Sequence, residues 1–229
     1  MQLAPLHVLY EDNHLLAVVK PAGLPTMGVA ADRPSLLSVA KDYIKRRYHK
    51  PGNVYLGAMS RLDAPVSGVV LFARTSKAAS RLTEQFRARS VDKIYWAVVS
   101  GEPPAEEACV DWIVKDERRR RMHLAASGVA GAQEARLSYR RLKPLGRHWA
   151  LEIALETGRK HQIRLQLAHR GCPILGDLKY GNRDEFASGI ALHARRLSFA
   201  HPVQGAAVEL TAPLPRAWRR FDFPCGGDP

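Results

Sequence analysis

Apolar residues recur along this chain with two periods, and the switches between them mark out its elements. Residues 7–20, HVLYEDNHLLAVVK, read as two short strands about a turn at Glu11–His14, and Pro21 and Gly23 end the second. Residues 35–49, SLLSVAKDYIKRRYH, change to helical spacing. Leu36, Val39, Ala40, Tyr43, Ile44 and Arg47 recur at three and four, Ser35 suits the N-cap, and PGN at 51–53 is the stop. GVVLFAR (68–74) predicts a strand, SKAASRLTEQFRAR (76–89) an amphipathic helix capped by Ser76, and KIYWAVVSG (93–101) another strand.

Residues 116–125, DERRRRMHLA, read as an exposed basic loop between strands. AQEARLSYRRLKPLG and HWALEIALETG alternate as paired strands. GRKHQIRLQLAHRG (158–171) predicts a short helix, with Thr157 near its start and Gly171 past its end. IALHARRLSFAHPV and AVELTAPLP are strands again, and RAWRRFDF a last short helix. Hairpins with interspersed helices predict an α+β protein built on a mostly antiparallel, mixed sheet.

Charge narrows the partners. Among 229 residues, 35 Lys and Arg against 22 Asp and Glu leave a net +13, which favours a polyanionic partner, most simply nucleic acid, against the plain alternative of a merely basic soluble protein. The three cysteines, Cys109, Cys172 and Cys225, are far apart and form no C-x-x-C pair, which fits a reducing cytoplasm. The first 20 residues have neither the basic start of a signal peptide nor the apolar length of a membrane span. No phosphate-binding glycine loop, H-E-x-x-H pair or G-x-S-x-G elbow occurs, so the expectation is no metal and no nucleotide cofactor.

Two features remain. Asp63 lies in GAMSRLDAPVSGVVLFAR (57–74), just before an apolar strand and two residues from Arg61. The plain alternative is a turn with a surface ion pair between Arg61 and Asp63. In the predicted helix at 158–171, Ile163 and Leu167 form the natural core face and His161, Arg164 and Ala168 another. Arg164 stands in the apolar run IRLQL, where burial requires a carboxylate partner; the alternative is that it snorkels to water.

SRLDAPVSGVVLFARTSKAA resembles the H-R-L-D-x-x-[ST]-S-G signature of the RluA-type pseudouridine synthases. VLYEDNHLLAVVKPAGLPT, VDKIYWAVVSG, LETGRKHQIRLQLAHRGCPILGDLKYG, IALHARRLSFAHPV and APLPRAW are similar to the family's other blocks, in order, over residues 7–218. The resemblance implies the pseudouridine synthase fold over 1–229, a single catalytic domain of two subdomains flanking a cleft, without the S4-type RNA-binding domain of many relatives. It implies an isomerase that flips a uridine out of ribosomal or transfer RNA and rejoins C5 of the base to C1′ of the sugar, with no cofactor. The alternative is a non-catalytic RNA-binding or chaperone relative. RNA is the implied partner, with monomer as the default state.

Residue by residue, the resemblance makes Asp63 the essential carboxylate and Arg164 its ion-pair partner. Tyr95 becomes the tyrosine that packs on the uracil, where the bottom-up alternative is a core strand tyrosine. Arg61 becomes the arginine entering the space that the flipped base vacates. Arg118, Arg119, Arg120 and Arg121 are candidates for gripping phosphates. Ser60, Ala64 and Val66 depart from the signature, on positions that shape the loop or face the substrate.

Overall fold

In this computed structural model the described residues are 5–30, 32–119, 121–221 and 223. In chain order they form β1 (His7–Glu11), β2 (Leu15–Lys20), α1 (Leu36–Arg47), β3 (Gly57–Ala58), β4 (Ser67–Ala73), α2 (Ser76–Arg87) and β5 (Asp92–Ser100). Then follow β6 (Glu106–Asp116), β7 (Arg121–Ala125), β8 (Gln133–Leu145), β9 (His148–Leu155), α3 (Gln162–His169), β10 (Leu192–Ala200) and β11 (Ala207–Thr211). Short 3-10 helices occupy Leu178–Tyr180 and Arg216–Phe221. The chain divides into two compact units, Met1–Val91 with Arg195–Pro213, and Asp92–Ala194 with Leu214–Pro229.

In the first unit the expected hairpin forms because Asp12 closes its turn: its carboxylate accepts from the backbone N–H of His14 and of Leu15, both at 2.7 Å. β2 pairs antiparallel with β4, Leu15 opposite Ala73 and Lys20 opposite Gly68. Both strands are buried along most of their length, so they read as apolar runs rather than as alternation. Leu15, Ala17, Val69 and Leu71 pack with Ala78 and Leu82 of α2 and with Leu197 and Phe199 of β10. Ser35 caps α1 as expected, in a reciprocal pair with Ser38. The cap of α2 is Thr75 rather than Ser76: Thr75 has the extended backbone a cap needs, and its hydroxyl accepts from Ala78 N–H, while Ser76 is already helical.

The second unit is an antiparallel ladder in the order β5, β9, β8, β6, β7. The expected pairing of the two alternating segments is observed as β8 with β9. The expected basic loop at 116–125 is mostly a hairpin. Asp116 pairs with Arg121, and β7 carries on from there because Met122 and Leu124 join Ile113, Ala135 and Leu165 in a core. The helix is shorter than expected: it starts at Gln162, after His161 in a left-handed conformation (φ 54°). It is also not two-faced. Every residue from Gln162 to Leu167 is buried, because its polar side chains find partners inside. The Gln162 amide donates to the Arg136 carbonyl and its oxygen accepts from Thr157, while Gln166 donates to Asp111 and to the Ala135 carbonyl.

Candidate active site

Asp63 sits in the short loop between β3 and β4, and that loop is tied down by the stretch that follows β2. Thr26 is buried, and its hydroxyl donates to the Leu62 carbonyl (2.8 Å) and accepts from the Leu62 N–H (3.1 Å). Gly23 N–H donates to the Ala64 carbonyl at 2.7 Å. The residues on both sides of Asp63 are therefore fixed by main-chain and hydroxyl contacts. Asp63 itself opens a β-turn, its carbonyl accepting from Val66 N–H at 3.0 Å. Two residues past that turn, Gly68 has φ +123°, which an L side chain rarely adopts, so the start of β4 demands glycine.

Lys20 completes the clamp. Its side chain is fully buried, and its ammonium donates to three carbonyls: Pro21 at 2.8 Å, Leu24 at 2.7 Å and Ala64 at 3.0 Å. An ammonium has three hydrogens, so all are used. Burial pushes the Lys20 amine down to about 7, against the Asp63 carboxylate, whose negative charge favours the protonated form. Lys20 is thus a buried cation that feels Asp63 electrostatically while holding the loop beside it.

In the second unit, Tyr95 is half-buried on β5. Register sets it opposite Ile153, which in turn faces Tyr139, which faces Glu107. Tyr139 donates to the Glu107 carboxylate at 2.7 Å, and Arg170, next after α3, binds the same group at 2.7 Å. Tyr95 therefore lies on the sheet face that α3 covers. Arg164, in that helix, is 5% exposed and does not snorkel. Its carboxylate partner within the unit is Asp177, 1% exposed, which takes Nε at 2.7 Å and Nη2 at 2.8 Å in a fork. Its guanidinium also lies over the ring of Tyr180, 5.2 Å from the centroid.

The other expected residues are more open. Arg61 is exposed and, among the described residues, makes no ion pair with Asp63, so only the turn survives from the plain reading of that stretch. Arg118 and Arg119 lie in the exposed turn between β6 and β7, where Asp116 accepts from Arg119 N–H at 2.9 Å. Arg121 is the half-buried first residue of β7, and Arg120 lies outside the described residues. Ser60 proves loop-shaping: its hydroxyl accepts from Leu71 N–H at 3.0 Å. Val66 is buried, and Ala64 acts through its carbonyl. Sequence reading noted Lys20 only as part of a motif similar to the family's, without a role, and missed Thr26, Asp177 and Tyr180. The signal for Asp177 was present, since Arg164 in an apolar helix called for a buried carboxylate and GDLKYG supplies one.

No described helix is long and apolar enough to cross a membrane. Residues 14–169 match the family profile described as RNA pseudouridylate synthase. The chain is 36% identical over 231 residues to ribosomal large subunit pseudouridine synthase D of Xanthomonas campestris pv. campestris, spanning 95% of this chain and 68% of that protein. It is 31% identical over 242 residues to tRNA pseudouridine synthase C of Vibrio vulnificus, spanning 96% of each. Its fold is similar to that of human RNA pseudouridylate synthase domain containing 4, with a TM-score of 0.77 and 26% identity over 94% of this chain and 92% of that one. The matched region takes in the clamped Asp63 loop, Tyr95 and Arg164, and the chain belongs to the RNA pseudouridine synthases of the RluA type.

Proposed function

We propose that Asp63 carries the isomerisation of uridine to pseudouridine, with Tyr95 and Arg164 as the other residues of the reaction, on a uridine of ribosomal or transfer RNA in the cytoplasm. The reaction breaks N1–C1′, joins C5 to C1′ and moves the C5 proton, so atoms balance within one nucleotide and no co-substrate is consumed. What it requires is an ionised carboxylate held rigidly against a base taken out of its stack. The observation that carries the reading is the clamp. Lys20, Gly23 and Thr26 fix the residues flanking Asp63 through the backbone of Leu62 and Ala64, which holds the carboxylate's place in the loop. Arg61, exposed on the same loop, serves as the stacking cation toward RNA, and Arg118, Arg119 and Arg121 bind phosphates. The names of the relatives support both ribosomal and transfer RNA as the substrate class.

Asp63→Asn tests the assignment. The amide keeps the shape of the carboxylate and is neither nucleophile nor base. Tritium release from RNA labelled at uracil C5 should disappear while the thermal melt stays that of the parent. Product formed by this variant would refute the role of Asp63. Mass-spectrometric mapping of cellular RNA with and without the protein assigns the target, and no lost pseudouridine in either RNA class would refute the substrate.

A further inference from the structure

Around Arg164 the second unit builds more than an ion pair. Asp177 and Tyr180 stand at i and i+3 of one 3-10 turn, closed by Tyr180 N–H donating to the Asp177 carbonyl at 3.1 Å. The carboxylate takes the Nε/Nη2 edge of the guanidinium and the ring covers its face. Holding a planar cation by one edge and one face leaves it little rotational freedom. The ring is itself anchored at its far end. The Tyr180 hydroxyl accepts from Met122 N–H at 3.0 Å and bonds His161 Nδ1 at 2.9 Å. Its own hydrogen goes to His161 Nδ1 or to the Met122 carbonyl, 3.5 Å away. His161 precedes α3, and Met122 lies one residue beyond the arginines of the β6–β7 turn. With the Nε/Nη2 edge committed to Asp177, the donors that Arg164 can present elsewhere are those of Nη1 and the outer hydrogen of Nη2.

We infer that Asp177 and Tyr180 are positioning residues for the reaction, acting through Arg164 by fixing the plane and edge of its guanidinium. This rests on the reading of Arg164 as part of the reaction centre. Asparagine at 177 would offer one acceptor and present its NH2 to the other guanidinium hydrogen, so the fork opens. Tyr180→Phe keeps the ring and the ion pair and releases only the tether to Met122 and His161.

The test is a kinetic series on the full chain, read by tritium release from C5-labelled RNA isolated from cells lacking the protein. Asp177→Asn should lower kcat about a hundredfold with KM within about twofold, the cost of misplacing a catalytic group. In an Arg164→Lys background, where no fork can form, the same change should cost less than about threefold further, because residues that act as a unit are not additive. Tyr180→Phe should lower kcat about tenfold at an unchanged melting temperature, a smaller misplacement with the ion pair intact. A parental kcat in Asp177→Asn, or an equal loss in both backgrounds, would overturn the inference. Should Asp177→Asn melt below assay temperature, Tyr180→Phe decides alone, and its parental kcat would overturn it. A parental rate in Arg164→Met removes the reading of Arg164 and this inference with it. A parental Asp177→Asn beside an inactive Arg164→Met removes the inference only.

Discussion

Lys20→Met removes a buried ammonium whose hydrogens all go to the carbonyls that bracket Asp63. Its effect on stability is expected to depend on pH in a way that can be worked out. The amine falls from 10.5 to about 7 on folding, a gap of 10.5 − 7 = 3.5 in pKa, equivalent to about 5 kcal/mol at full separation. Burial is the larger cause and the Asp63 charge opposes it. Below pH 7 both folded and unfolded chains hold the proton and the whole penalty applies. Between 7 and 10.5 the unfolded chain keeps the proton while the native chain releases it, so the native state gains stability as pH rises. From pH 6 to 9 that gain is about 2–3 kcal/mol. Methionine has no proton to lose, so the stability difference between parent and variant should move in the parent's favour by that amount. Other groups titrate alike in both proteins and cancel. Urea unfolding followed by circular dichroism at pH 6, 7, 8 and 9 measures it, with equal m-values confirming that the unfolded states match. Two parallel stability curves would refute the account of Lys20 as a neutral-range buried amine.

The remaining expectations concern the loop and the RNA. Thr26→Val keeps the volume and deletes both contacts to Leu62; it should cost about 2 kcal/mol in urea unfolding and lower kcat by up to a hundredfold, as expected for a misplaced carboxylate. Ser60→Ala should cost about 1 kcal/mol, from the lost contact to Leu71 N–H, and leave KM unchanged. A KM change above about tenfold, or 1.4 kcal/mol, would instead place Ser60 against the substrate. Replacing Arg118, Arg119 and Arg121 by alanine should weaken RNA binding and reduce the slope of log K against log salt by about 2, and an unchanged slope would exclude the turn from the phosphate grip.

The elements were legible where one physical effect dominated. β2 and β4 show as apolar runs because they are buried along most of their length, and α1 shows through its spacing and the Ser35 cap. The hairpin at Asp116–Arg121 was not legible, because four consecutive arginines hide a two-residue apolar anchor at Met122 and Leu124 that only the core of the second unit explains. The helix α3 misled in the opposite sense: Ile163 and Leu167 read as its core face, yet Gln162, Arg164 and Gln166 are buried as well, because Thr157, Asp177 and Asp111 are brought to them from elsewhere in the chain. Asp63 could be singled out through family resemblance, but what holds it could not. Lys20, Gly23 and Thr26 reach it across some forty residues through carbonyls and a hydroxyl, contacts that leave no spacing in the sequence.

The Ala64 carbonyl, which receives both Gly23 N–H and the Lys20 ammonium, has a consequence for how such a loop can diversify. Every amino acid carries that oxygen. The anchoring of the segment next to the reactive carboxylate is therefore indifferent to which side chain is written at position 64. Neighbouring sites that matter for the geometry, Thr26 and Gly68, are the ones where chemistry or backbone conformation restricts the choice. Position 64 is thus open to redecoration, by natural drift or by a protein engineer seeking a new RNA target, with the scaffold around Asp63 left as it stands.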